Sequence, residues 1–319
     1  MRRRLLLLLL LAVLLQVVGL TAALATDVTF LVASDTHFTG KSLPKVVKPA
    51  LQAMNGHVVG LAYPTAIGGT VATPFAALVL GNLCDGGAGI GATDTPRWYS
   101  PRNFQDQWTG FSTYFPSGGV TGDINRLRFA SFATAGNHDF YNNFGTALSA
   151  KSYYVANALQ ARYAISDDLT NGNVYYAFDV DGVHVVALGR WGGPEVLSWL
   201  TTNLASIPAG TPVVLYLHYA FDDGQTWYTD AERQRLAQAI APYRVIAILH
   251  GHTHSSGHYV WNGYDCYDDG SMGYNSEFGV LHITSTTLTY SQYRATGDSS
   301  GNWKSGQWTW WHSKALPSG

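Results

Sequence analysis

The sequence predicts an α/β fold built as one large domain, and three observations carry that reading. Short apolar runs alternate with amphipathic stretches along most of the 319 residues. Five of those runs end in a brief polar segment that holds His, Asp or Asn. Hydrophobic residues make up 46% of the chain, which is ample for a sizeable core. In α/β sheets, sites form beyond the carboxyl ends of strands, where loops converge. The five polar segments can therefore meet in one place.

The elements follow in order. Arg2, Arg3 and Arg4 precede an apolar run from Leu5 to Leu20, and Ala23-Leu24-Ala25 then supplies a small-x-small cleavage site. Residues 1–25 are thus expected to be a signal peptide cut before Thr26, with an uncleaved anchor as the alternative. Val28–Ala33 is a short apolar strand running into Ser34-Asp35-Thr36-His37, and Lys45–Met54 is a helix with Pro44 ahead of it. Phe75–Leu80 is a second strand ending in Gly81-Asn82-Leu83-Cys84-Asp85. After a Gly-, Thr- and Pro-rich loop to about Pro101, Phe104–Tyr114 reads as helix. Phe129–Thr134 is a third strand, ending in Gly136-Asn137-His138-Asp139, and Ala147–Tyr163 suits a helix. Val174–Leu188 alternates around Asp181-Gly182, a hairpin pattern, with His184 on its surface. Glu195–Ile207 is amphipathic, Val213–Leu217 is a strand followed by His218, and Ala231–Ile240 is a helix. Val245–Leu249 is a strand that runs into His250-Gly251-His252-Thr253-His254. Short strands at Val280–Thr284 and Thr287–Tyr290 close the domain at about residue 292, with 293–319 as an extension packed on it.

Composition narrows the function classes. Net charge is −2, charged residues are 13% of the chain, and no basic block occurs. Nothing therefore favours a nucleic-acid or anionic-membrane partner. No second long apolar run follows the first, so no membrane span is expected after cleavage. The expected location is secreted or periplasmic. The two cysteines, Cys84 and Cys266, are not in a C-x-x-C pair, which disfavours a thiolate zinc site. An exported chain can keep a disulfide. Because both cysteines lie in segments that should converge on the site, a Cys84–Cys266 bridge is expected.

The polar segments are of the kind that binds metal. Asp35 and His37 lie two apart at a strand end and can face one ion. His252 and His254 can serve one ion or two neighbouring ones, neutral imidazole being the commonest nitrogen ligand. Alone, Asp35-x-His37 reads as a turn and His218 as a structural residue; in company they read as ligands. Oxygen and imidazole donors without thiolate suit Fe, Mn or Zn.

In this order, each after a strand, the segments resemble the calcineurin-like metallophosphoesterase superfamily: D-x-H, G-D-x-x-D, G-N-H-D/E, a lone His, then G-H-x-H. The resemblance spans about residues 27 to 290. It implies a four-layer αββα sandwich and a two-metal centre with a metal-activated water. It would place Asp35, His37 and His254 on the first ion and Asn137, His218 and His252 on the second. Asn82 stands where the family has an Asp bridging both, His138 would act on the leaving group oriented by Asp139, and Asp85 would support the ligands from behind. The implied activity is hydrolysis of a phosphomonoester or phosphodiester on a phosphorylated small molecule or lipid. Asn82 departs from the pattern: an amide offers one neutral oxygen and an NH₂ that cannot ligate. That weakens the second metal and leaves a catalytically weakened, phospholigand-binding relative as the alternative. The segments 86–115 and 261–278 are expected to roof the site, with Trp98, Tyr99, Trp108 and Tyr267 available either to stack on a substrate ring or to fill the core.

Overall fold

The computed structural model describes residues 26–85, 104–140, 175–190, 193–221 and 228–317. The expected signal peptide, the helix at 147–163, and Trp98 and Tyr99 lie outside them. In chain order the elements are β1 (Asp27–Ala33), α1 (Val47–Gly56), β2 (Ala76–Leu80), α2 (Phe104–Tyr114), β3 (Ala130–Thr134) and α3 (Asn137–Phe140). Then come β4 (Tyr176–Val180), β5 (Val183–Ala187), α4 (Pro194–Ala205), β6 (Pro212–Tyr216), α5 (Asp230–Ile240) and β7 (Arg244–His250). The chain closes with β8 (Ser256–Trp261), β9 (Tyr264–Asp269), α6 (Met272–Asn275), β10 (Glu277–Thr284), β11 (Thr287–Gly297) and β12 (Trp303–Ala315).

Two six-stranded mixed sheets result, ordered β12-β11-β10-β1-β2-β3 and β4-β5-β6-β7-β9-β8. Within them β1, β2 and β3 are mutually parallel, as are β5, β6 and β7. Parallel strands covered on both faces read as unbroken apolar runs, which is how β2 (AALVL) appears. Alternation then assigns the faces. Val214 and Tyr216 of β6 point into the core shared by the two sheets, while Val213 and Leu215 point at Leu200 and Leu204 of α4 and Leu236 and Ile240 of α5. On the far side, Leu51 and Met54 of α1, Phe111 of α2 and Phe115 just beyond that helix cover the first sheet. This is the expected α/β arrangement of two sheets between flanking helices. The sheets interlock through Phe132 stacked on Phe178 at 4.1 Å and through Tyr176 Oη donating to the Ala133 carbonyl at 2.8 Å. Each fully buried Leu, Val or Phe adds about 1.5–3 kcal/mol, so a Leu215→Ala change should cost about 2–5 kcal/mol.

Local signals account for several boundaries. Asp181 and Gly182 both have positive φ, 48° and 78°, as the tight turn between β4 and β5 requires. The α5 start is a reciprocal capping box: Thr229 Oγ1 accepts from Glu232 N–H, and Glu232 accepts from Thr229 N–H.

Four expectations need correcting. His184 is fully buried, its ring paired with Asp179 Oδ1 at 2.6 Å and Asn203 Oδ1 at 2.8 Å, because α4 covers that face of β5. Of the expected roof segment 261–278, residues up to Asp269 belong to the β8–β9 hairpin of the second sheet. Only the turn after it, at residues 271–273, reaches Ser34 and Asp35, while Tyr267, like Trp108, fills the core. A domain limit at residue 292 falls inside β11, and most of the last stretch is β12, the edge strand of the first sheet. Finally, Cys84 and Cys266 are free and buried. Cys84 packs in the core containing the first sheet, and Cys266 faces the separate core under α4 and α5, so no bridge joins them.

Candidate metal centre

The carboxyl ends of β1, β2, β3, β6 and β7 deliver the site. Past β1 the chain stays laddered to the end of β2: Asp35 N–H donates to Gly81 O at 3.1 Å, His37 N–H to Asn82 O at 3.0 Å and Phe38 N–H to Leu83 O at 3.0 Å. Five candidate ligands have left-handed backbones, with φ of 52° at Asp35, 45° at His37, 49° at Asn82, 73° at His252 and 58° at His254. For L-residues that costs about 1–2 kcal/mol each. Strain of this kind gathers at functional sites, where surrounding structure over-determines it. Two glycines permit the close approach. A Cβ on Gly136 would sit 2.3 Å from Asn82 Oδ1, and one on Gly251 would sit 1.7 Å from Ser34 Oγ.

Asp35 lies at the centre and is fully buried. Its Oδ2 accepts from Ser34 Oγ at 2.5 Å and His252 N–H at 2.9 Å. Its Oδ1 lies 3.5 Å from His37 Nε2 and 3.3 Å from His254 Nε2, and those two nitrogens are 3.3 Å apart. These three atoms form a triangle that one cation can share. Asp85 Oδ1 stands 3.3 Å behind His37 Nδ1 and so aims Nε2 into the triangle. Burial alone would raise the Asp35 carboxyl, but His218, His254 and His37 hold it well below the usual range. Burial would likewise lower His37, yet Asp35 and Asp85 push it up to about 9. A metal at this point competes with the proton that His37 otherwise holds.

A second pair lies beside the first. His218 Nδ1 donates to the Leu80 carbonyl at 2.8 Å, and burial lowers this ring to about 3, so it is neutral with its lone pair on Nε2. That Nε2 faces Asn137 Oδ1 at 3.0 Å. Two acceptors in contact repel unless a cation lies between or beside them. His252 completes the set, its ring centroid 5.1 Å from that of His218. The donor set fits a metal at the first position, and His218, Asn137 and His252 offer neutral donor atoms beside it.

Asn82 sits between them. Its Nδ2 donates to Asp35 Oδ1 at 2.8 Å and its Oδ1 accepts from His138 N–H at 2.9 Å. The amide thus turns its NH₂, the group that cannot ligate, toward the first triangle.

His138 and Asp139 part company. The Asp139 carboxylate accepts from the backbone N–H groups of Leu83, Cys84 and Gly136 at 3.2, 2.9 and 2.7 Å. It ties the β2 and β3 loops together and is not the group that orients the His138 ring. That group is the Asp85 carbonyl, which accepts from His138 Nδ1 at 2.9 Å. Burial raises Asp139 to about 6 against the pull of those N–H groups, and burial together with His37 lowers His138.

Two contributors were not read from the sequence. Asp268 accepts a hydrogen bond from Thr253 Oγ1, between the paired histidines. Ser271-Met272-Gly273 anchors to the first ligand: Ser271 Oγ and Gly273 N–H both donate to Asp35 O, at 3.1 and 2.9 Å, and Met272 N–H donates to Ser34 O at 2.9 Å. Their signal was slight, a Ser at a helix N-cap with a Gly two residues on.

Comparisons with known proteins place the chain in a family. Purple acid phosphatase 21 of Arabidopsis thaliana is 33% identical over 135 residues, 38% of this chain and 29% of that protein. Purple acid phosphatase 23 of the same plant is 28% identical over 177 residues, 53% of this chain and 34% of that protein. The chain thus spans about a third of the length of these curated relatives. In fold it is similar to GAP50, the anchor in the inner membrane complex of Plasmodium, with a TM-score of 0.53 at 10% identity over 92% of this chain and 90% of that one. The calcineurin-like phosphoesterase profile matches residues 28–256, which takes in all five polar segments. The chain belongs to the calcineurin-like phosphoesterase family, a family of metal-dependent phosphoesterases.

Proposed function

We propose that the protein is an exported phosphoester hydrolase working through a two-metal centre, with Fe, Mn or Zn as the ions. The observation that carries this is the convergence of candidate ligand atoms: the Asp35–His37–His254 triangle and the His218–Asn137 contact, all at 3.0–3.5 Å. When bound, such ions supply Lewis acidity toward phosphoryl oxygens and lower the pKa of a nearby water. Asp35, His37 and His254 would hold the first, and Asn137, His218 and His252 the second, with Asn82 reaching between them. Asp85 keeps His37 turned toward the site through Nδ1 and, through its carbonyl, fixes His138 with Nδ1 protonated. His138 would then give its Nε2 proton to the departing alkoxide, which requires the ring to be doubly protonated, a form that burial beside His37 makes more acidic but also less populated.

The substrate would be a phosphorylated small molecule or lipid. Export is supported by Arg2–Arg4, the apolar run and Ala23-Leu24-Ala25. No helix of the described residues is long and apolar enough to cross a membrane. Metal analysis with turnover of p-nitrophenyl phosphate tests the activity: bound metal and turnover that chelation abolishes are expected. A protein that binds no metal and cleaves no ester refutes it. Metal binding without turnover would favour a phospholigand-binding relative, the reading to which the Asn82 amide points. Mass spectrometry of the extracellular protein should find a terminus near Thr26.

A further inference from the structure

Among the described residues, Tyr274 is an exposed aromatic residue at this site. On α6 it is 52% exposed, whereas the rings beside it are ligand candidates: His254 at 4.6 Å between centroids with a 30° tilt, and His37 at 5.1 Å and 66°. Its place is fixed from several directions. Ser271, Met272 and Gly273 bond to the backbone of Ser34 and Asp35. Tyr274 N–H donates to Ser271 Oγ at 3.2 Å, and Asn275 Nδ2 to the His254 carbonyl at 3.1 Å. Gly273 admits no side chain, since a Cβ would lie 2.7 Å from Asp35 O. Ser276 ends the turn in the left-handed region at φ 54°. A short segment bonded this way is tied to the candidate ligand loops, so the Tyr274 backbone keeps its place beside the first metal position.

About half of the Tyr274 side chain packs beside His254 and His37, and the other half stays in solvent, where a ligand can meet it. It is well explained as a platform, because it loses little entropy when a flat group settles against it. We propose that Tyr274 contacts the leaving group and favours phosphoesters whose alcohol carries a flat aromatic ring, as an aryl ester or a nucleotide does. The inference rests on the hydrolase reading above.

The test is a ratio of kcat/KM values. Wild type, Tyr274→Phe and Tyr274→Leu are assayed on phenyl phosphate, a nucleoside 5′-monophosphate and glycerol phosphate at equal metal content. Stacking of aromatic rings is worth about 0.5–1.5 kcal/mol. Tyr274→Leu should therefore lower the aromatic-to-glycerol ratio by about 2–10-fold, with Tyr274→Phe retaining it. A fall confined to phenyl phosphate identifies an aryl ester, and one confined to the nucleotide identifies a nucleoside. An unchanged ratio in the Leu variant, or an equal fall in the Phe variant, overturns the platform. Wild type inactive on all three esters and on the diester bis-p-nitrophenyl phosphate overturns the hydrolase reading instead, and activity on the diester alone overturns the preference among monoesters proposed for Tyr274.

Discussion

Asn82→Asp should invert the dependence of stability on metal. In the metal-free protein the amide joins Asp35 Oδ1 at 2.8 Å and His138 N–H at 2.9 Å. The substitution keeps the second bond and sets two carboxylate oxygens 2.8 Å apart in place of the first. Two unit charges at that distance repel by about 6 kcal/mol at an effective dielectric of about 20. Proton uptake caps the cost: keeping an ordinary Asp protonated at pH 7 takes about 4 kcal/mol. The His37 imidazolium beside Asp35 lowers it further. Chelated Asn82→Asp should therefore be about 2–4 kcal/mol less stable than wild type. With metal the sign reverses, since the added charge neutralises two cations, and affinity at the second position should rise tenfold or more, about 1.4 kcal/mol. Urea unfolding of both proteins in EDTA and in Mn²⁺ or Zn²⁺, with metal stoichiometry and kcat/KM, reads both halves. Equal stability under chelation would show that the amide–carboxylate bond is not as described. Equal stoichiometry and turnover would refute the bridging argument.

Three further outcomes are expected. His138→Ala should lower kcat by about 10²–10⁴ for esters of poor leaving groups and by much less for p-nitrophenyl phosphate, since a phenolate of low pKa departs without a proton; equal losses on both would remove His138 as proton donor. Asp269 is fully buried, its carboxyl raised well above the usual range by burial while Tyr290 Oη donates to it. Its folded pKa exceeds the unfolded one, so its stabilising effect is complete below about pH 4 and is lost as pH rises, by up to about 1.4 kcal/mol per unit. Asp269→Asn should gain on wild type in urea between pH 4.5 and 7.5, and a constant difference would contradict this. Cys84 and Cys266, both wholly buried, should resist a thiol reagent in the folded protein and yield two thiols per chain in denaturant without reductant; fewer would restore the disulfide.

The strand ends were legible because two independent patterns coincide there, an apolar run and then a burst of His, Asp and Asn. Their convergence followed from parallel topology. What escaped notice lacked one pattern or the other. The β8–β9 hairpin carries Asn262-Gly263, a turn pair whose φ values are 51° and 85°, but β8 is half exposed and β9 carries three Asp residues, so they read as loop. β12 mixes Trp with Lys, Ser and Gln at a sheet edge and shows little apolar alternation. His184 looked superficial because a single His in a strand says nothing about a helix lying across it. The partner of Asp139 was beyond sequence too. A carboxylate next to a His suggests a pair, yet three backbone N–H groups outcompeted the ring.

The left-handed backbones of the ligands have a consequence for which residues their positions tolerate. At Asp35, His37, Asn82, His252 and His254 the main chain itself prefers Gly, Asn or Asp, whatever the chemistry demands. Alanine substitutions there would confound two losses, a donor atom and a side chain that at least tolerated the turn. Glycine would separate them, since it removes the donor while relieving the backbone. Mutational drift at these five sites is thereby channelled into a narrow alphabet. Position 82 shows the limit of that backbone preference: Asp and Asn both accept φ near 49°, so exchanging them spares the turn while replacing the amide–Asp35 bond with a second negative charge.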